Sequence, residues 1–156
     1  MQRVKKKKIT IHITLDIFKA AREGDVSAVK MFLESGEHIN SQDAEGKTSL
    51  FWACVAGQLE MIQYLLKCGA DTNLCALDKV TPLMCAVFSD KSESVQMLLS
   101  HQAQVNAQDN EGVSALHSAM ICEDKDIWTL LLQAGADTNL CDEYGETPLH
   151  EAGQGL

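Results

Sequence analysis

A chain of 156 residues with 46% hydrophobic content has the length and the apolar supply for one ordinary domain. Its formal net charge of −9 argues against a surface that grips nucleic acid, which relies on Lys and Arg to neutralise phosphates. The start, MQRVKKKKITIHITLDIF, lacks the unbroken apolar run of a secretory signal, and no span has the length to cross a bilayer, so the six cysteines read as free thiols of the reducing cytosol or the nucleus.

In chain order, residues 1–14 form a basic N-terminal segment. Lys5 to Lys8 read as a solvated tail or an import signal, and Ile9, Ile11, Ile13 and Leu15 then alternate with Thr10, His12 and Thr14 as in a strand. Residues 15–42 carry two helical stretches, with Lys19, Arg22, Glu23, Lys30 and Glu34 supplying the polar face of a terminal unit. In residues 43–75, Gly46 makes a turn, Thr48 caps a helix that Gly57 ends, and a second helix runs through Leu59, Ile62, Leu65 and Leu66 to Gly69. Residues 76–108 follow the same plan, with Pro82 at the first helical position after Thr81. Lys79 stands there where Gly46 does and predicts a distorted turn, while Asp90 and Gln102 replace two further glycines. Residues 109–141 restore Gly112 but place Glu123 in the helix-break position, which predicts strain or a rebuilt turn. Residues 142–156 begin a fifth unit at Tyr144, Thr147 and Pro148 that ends at GQGL. That predicts an uncovered apolar face around Trp128, Leu131 and Leu132, open to self-association or another partner.

The units are copies. GADTNLC occurs at residues 69–75 and again at 135–141, and a shift of 33 aligns Thr48, Thr81, Ser114 and Thr147, then Leu50, Leu83, Leu116 and Leu149. Ala20, Ala53, Ala86, Ala119 and Ala152 form another column, and Asn40, Asn73, Asn106 and Asn139 a third. Each helix has two or three turns, too few to be stable alone in water, so every unit must lean on the next. A period in this range belongs to a stacked array.

The stretches DKVTPLMCAV, EGVSALHSAM and YGETPLHEAG, together with GADTNLC, resemble ankyrin repeats over about residues 15–152. The resemblance implies an all-α solenoid of helix pairs with β-hairpin-like fingers and little strand. It also implies a non-catalytic module that binds a protein or peptide on a concave face made of finger tips and first-helix ends. Carried over position by position, that face holds Arg22 and Glu23, then Val55 and Ala56, then Phe88 and Ser89, then Ile121 and Cys122. The tips add Glu45 and Lys47, Leu77, Asp78 and Val80, Asn110, Glu111 and Val113, and finally Glu143, Tyr144 and Glu146. Val55, Phe88 and Ile121 make an apolar stripe ringed by carboxylates, which suits a partner with hydrophobic anchors and basic flanks. A second reading makes these repeats a fragment of a larger multidomain signalling or ubiquitin-ligase-type protein.

Other chemistry ranks lower. The cysteines at 54, 68, 75, 85, 122 and 141 contain no C-x-x-C pair, so neither metal nor other cofactor is expected and the thiols read as buried or half-buried structural groups. Ser114 and His117 sit three residues apart, but Ser114 occupies the cap position, so they read as structure. Trp52 and Trp128 fall in columns assigned to the core.

Overall fold

The computed structural model describes residues 16–150. The basic run Lys5 to Lys8, the alternating stretch from Ile9 to Leu15, and the column member Ala152 lie outside the described residues.

Four helix pairs follow one another: α1 (Ile17–Glu23) with α2 (Val26–Glu34), α3 (Ser49–Val55) with α4 (Leu59–Lys67), α5 (Pro82–Phe88) with α6 (Ser92–Ser100), and α7 (Ala115–Ser118) with α8 (Lys125–Gln133). The first helix of each pair starts where a short hydroxyl or carboxylate can take an otherwise unpaired N–H. Asp16 accepts from Lys19 N–H at 2.6 Å, Thr48 from Phe51 N–H at 3.1 Å, Thr81 from Met84 N–H at 3.3 Å and Ser114 from His117 N–H at 3.4 Å. Residues 148–150 open a further helix behind Thr147.

Every substantial helix contact joins the two members of a pair or equivalent helices of adjacent pairs: α1 packs on α3, α3 on α5 and α5 on α7, while α2, α4, α6 and α8 stack in a second row. Ala20, Ala53, Ala86 and Ala119 are all fully buried in the first row. A side chain that small lets neighbouring backbones approach, and Leu50, Leu83 and Leu116 fill the space beside them. Leu65, Leu98 and Leu131 do the same in the second row.

Polar bonds repeat with the same period. The side-chain oxygens of Asn40, Asn73 and Asn106 accept the amides of Asp71, Gln104 and Asp137 in the following unit at 2.9, 2.8 and 2.8 Å. At the fingers, Leu77 N–H donates to the Glu45 carbonyl, Asn110 N–H to Asp78 and Glu143 N–H to Glu111. The fingers themselves are tight turns. Among the described residues β pairing amounts to isolated antiparallel bridges, Gln42 with Thr48 and Gln108 with Ser114.

The turn at Lys79 departs from expectation because it is not distorted. Lys79 takes φ 65°, beside 77° and 78° for Gly46 and Gly112, and its N–H reaches the Ala76 carbonyl just as Gly46 reaches Asp43. Neighbouring fingers on both sides hold the tip in place, so the left-handed backbone is kept at the cost of strain. Asp90 at 56° and Gln102 at 63° do likewise, which puts all three positive-φ residues other than glycine among the described residues in the unit of α5 and α6. Glu123 instead ends in a rebuilt turn. α7 stops after four residues, a 3-10 turn runs over Ala119–Ile121, and Cys122 is extended at φ −74°, ψ 141°. At the far end Leu131 is buried, contrary to the expected open face, but Leu132 is 44% exposed and Leu149 60%, where its column mates are buried.

Relieving the strain should stabilise the chain. Lys79→Gly and Gln102→Gly should each add about 0.5–1 kcal/mol to the unfolding free energy, the steric relief exceeding the entropy cost of glycine, with Asp90→Gly adding less. Gly112→Ala should cost about 2 kcal/mol, since its φ is 78° and a Cβ there would lie 2.9 Å from the Asp142 Cα. Urea titrations followed by circular dichroism would measure both directions, and destabilisation by Lys79→Gly would contradict the strain.

Candidate functional site

Equivalent positions on the first helices and fingers generate one surface running across the units. Val55, Phe88 and Ile121 are all exposed, Phe88 by 74%. Val55 and Phe88 meet in a depression of about 280 Å³ together with Val80, Met84, Cys85, Asp109 and Ser118. Ile121 does not line it, because the shortened α7 carries that residue on the 3-10 turn. Met84, Cys85, Asp109 and Ser118 were not among the expected site residues. Met84, Cys85 and Ser118 belong to columns whose other members are buried or differ in chemistry, whereas Asp109 shares its column with Asp43 and Asp142, a recurrence that could have marked it.

Of the expected tip residues, Val80 lines this depression. Glu45, Leu77, Asp78, Glu111 and Tyr144 are exposed, and Val80 and Val113 are half-buried. Glu45, Lys47, Ala76, Leu77 and Asp78 line a smaller recess of about 190 Å³ between two fingers. Ser89 and Cys122 are less available than their exposed neighbours. The Ser89 hydroxyl donates to the Ala86 carbonyl at 2.9 Å, and the Cys122 thiol donates to the Val87 carbonyl at 3.2 Å, tying two units together.

Trp52 is not a core residue. It is half-buried in a depression of about 320 Å³ with Asp16, Phe18, Lys19, Arg22 and Asp43. Its indole N–H donates to Asp43 Oδ2 at 2.9 Å, the Arg22 guanidinium lies 5.4 Å from its ring centre and the Lys47 ammonium 4.9 Å. Burial alone would raise the Asp43 carboxyl, but the Lys47 N–H, the indole, the Glu45 N–H and the Lys47 charge together hold it below the usual carboxylate range. Lys47 also pairs with Glu45, which raises its own pKa. Trp128, by contrast, packs half-buried against the core as expected, its indole N–H donating to the Ala119 carbonyl at 3.2 Å.

Ser114 and His117 do come within bonding distance, with Oγ and Nδ1 2.8 Å apart. Both are 1% exposed, so no substrate reaches them. Nδ1 also accepts the Ser114 N–H at 3.1 Å, and Nε2 lies 3.1 Å from the Glu146 carbonyl, the arrangement of the tautomer with its proton on Nε2. The pair closes a helix start and ties its unit to the next finger.

Among the cysteines, Cys54 and Cys85 are buried while Cys68 and Cys141 are exposed, which corrects the expectation that all were sheltered. Burial pushes the Cys54 thiol well up and Cys85 up to about 12, and burial followed by the nearby Asp90 raises Cys122 to about 11. Among the described residues, no three His, Cys, Asp or Glu side chains are placed to hold a metal ion, and no helix is long and apolar enough to cross a membrane.

A family model for ankyrin repeats in three copies matches residues 17–109, and a single ankyrin repeat model matches residues 111–143. No curated protein matches the chain.

Iodoacetamide at pH 8 should modify Cys68 and Cys141 first, since they are exposed, and should spare Cys54 and Cys85 until the chain is unfolded. A raised pKa keeps a thiol protonated at that pH, so Cys122 should lag behind the exposed pair despite its partial exposure. Peptide mass mapping over time reads the order, and early loss of Cys85 would contradict its burial.

Proposed function

The chain belongs to the ankyrin repeat family, whose members are generally protein-protein interaction modules, and from that premise we propose that it is a non-catalytic adaptor. It binds a protein or peptide segment along the concave face formed by first-helix ends and finger tips. The observation that carries this reading is Phe88, a large apolar side chain 74% exposed at the edge of the depression that Val55, Val80 and Met84 line. Burying such a ring under a partner removes about 2 kcal/mol worth of unfavourable hydration. Water exclusion is the driving term, and the exposed finger-tip carboxylates Glu45, Asp78 and Glu111 select partners with basic groups next to an apolar anchor.

The stack suits this task physically. Its side chains are held in place before any partner arrives by bonds between units, so association need not order a loop. The same reading places the work in the cytosol or nucleus, where buried and exposed thiols alike stay reduced.

Phe88→Glu should leave the melting temperature within about 2 °C of the parent, because an exposed side chain contributes little to folding. It should abolish the capture of proteins that the parent chain retains from a cell lysate. Unfolding of the variant would make Phe88 core, and undiminished capture would move binding to another face.

A further inference from the structure

The proposed face is not uniform along its length, and we infer that it takes a dipolar segment: an acidic residue at Arg22 and Trp52, an apolar anchor against Val55 and Phe88, and a basic residue against Asp109. This refinement rests on the groove-binding reading above.

At one end, Arg22 occupies the column of Val55 and Phe88 and so continues their line into the first unit. Its guanidinium is exposed and parked 5.4 Å from the Trp52 ring centre, and among the described residues no carboxylate stands within ion-pair reach of it. Of the two carboxylates sharing its depression, Asp43 is used on both oxygens, by the N–H groups of Glu45 and Lys47 and by the Trp52 indole, and Asp16 accepts the Lys19 N–H on Oδ1 and makes no ion pair with Arg22. A preset planar donor without an anion is matched by a carboxylate of the partner.

At the other end the same local design has lost one bond. Asp109 repeats Asp43, taking the N–H groups of Glu111 and Val113 on Oδ1, each at 2.9 Å. In the Trp52 column, however, this unit has Ser118, whose hydroxyl donates at 3.5 Å to the Ser114 carbonyl. Asp109 Oδ2 therefore has no donor among the described residues, yet the residue lines the apolar depression. A Lys or Arg following the anchor would supply the donor, and the exposed Glu111 and Glu143 extend the negative ground beyond it. A segment basic on both flanks would instead set a cation against Arg22.

The separation of the two ends follows from the stack. Units spaced at about 8–10 Å put Arg22 about 12–15 Å from the middle of the apolar depression, which an extended chain spans in about four or five residues. The acidic residue and the anchor are thus expected at that spacing, with the basic residue adjacent to the anchor on the opposite side.

The test is selection from a displayed library of random 14-residue peptides on the intact chain and on Phe88→Glu, Arg22→Gln, Arg22→Lys and Asp109→Asn, each checked for an unchanged melt. Selected peptides should carry Asp or Glu four or five residues from an apolar cluster and Lys or Arg on its other side. Arg22→Gln should erase the acidic preference alone and weaken a selected peptide about twofold to fivefold, the range of an exposed ion pair, while Arg22→Lys should keep the preference. Asp109→Asn should erase the basic preference alone. Selected peptides basic on both sides, or an acidic preference indifferent to Arg22→Gln, would overturn the dipolar segment and leave groove binding standing. Failure to select any peptide that depends on Phe88 would overturn groove binding and the dipolar segment with it.

Discussion

Contact with the next unit is the constraint on which the whole chain depends. A pair of helices of seven and nine residues cannot hide its apolar side or satisfy its own loop amides. The alanine column solves the first problem by letting backbones close up, and the asparagine column solves the second by lending each side-chain carbonyl to an amide of the following unit. Both solutions work only at a fixed offset between copies. That is why those two columns recur while the tips between them vary in charge and size.

The unit bearing Phe88 is also the one that keeps three left-handed positions without glycine. Its neighbours hold those positions through the finger bonds from Leu77 to Glu45 and from Asn110 to Asp78, through the amide of Asp124 held by Asp90 Oδ1 at 3.1 Å, and through the Asn73 side-chain amide donating to the Gln102 carbonyl at 3.2 Å. Strain and the proposed binding surface thus share one repeat. Local stability in an array is set jointly by a unit and its two interfaces, so a strained member survives in the interior where it has both.

Proximity of reactive groups does not by itself make a reactive site, and Ser114 with His117 illustrates the point. Their 2.8 Å approach would satisfy a search for a nucleophile and its base. Burial and complete use of the imidazole nitrogens in capping turn the same geometry into a fastening. The depression beside Phe88 has the opposite character, with an apolar wall and, on Asp109, a carboxylate oxygen that has no donor among the described residues.

The period of 33, the caps at Thr48, Thr81 and Ser114, and the solenoid itself were legible in the sequence, because stacking demands the same residue at the same offset and repetition makes that demand visible. The exposure of Val55, Phe88 and Ile121 was legible for the same reason, as an apolar run in a column whose first member is Arg22. Tertiary structure alone decided what repetition could not mark. It kept the turn at Lys79 undistorted because adjacent fingers clamp it, and it drew Ile121 away from the depression when α7 gave way to a 3-10 turn. It also moved Trp52 from the core to a half-buried place, where Asp43 and two cations receive it. These outcomes depend on which side chains face one another between successive copies, and a column read within the chain records only which residues are equivalent.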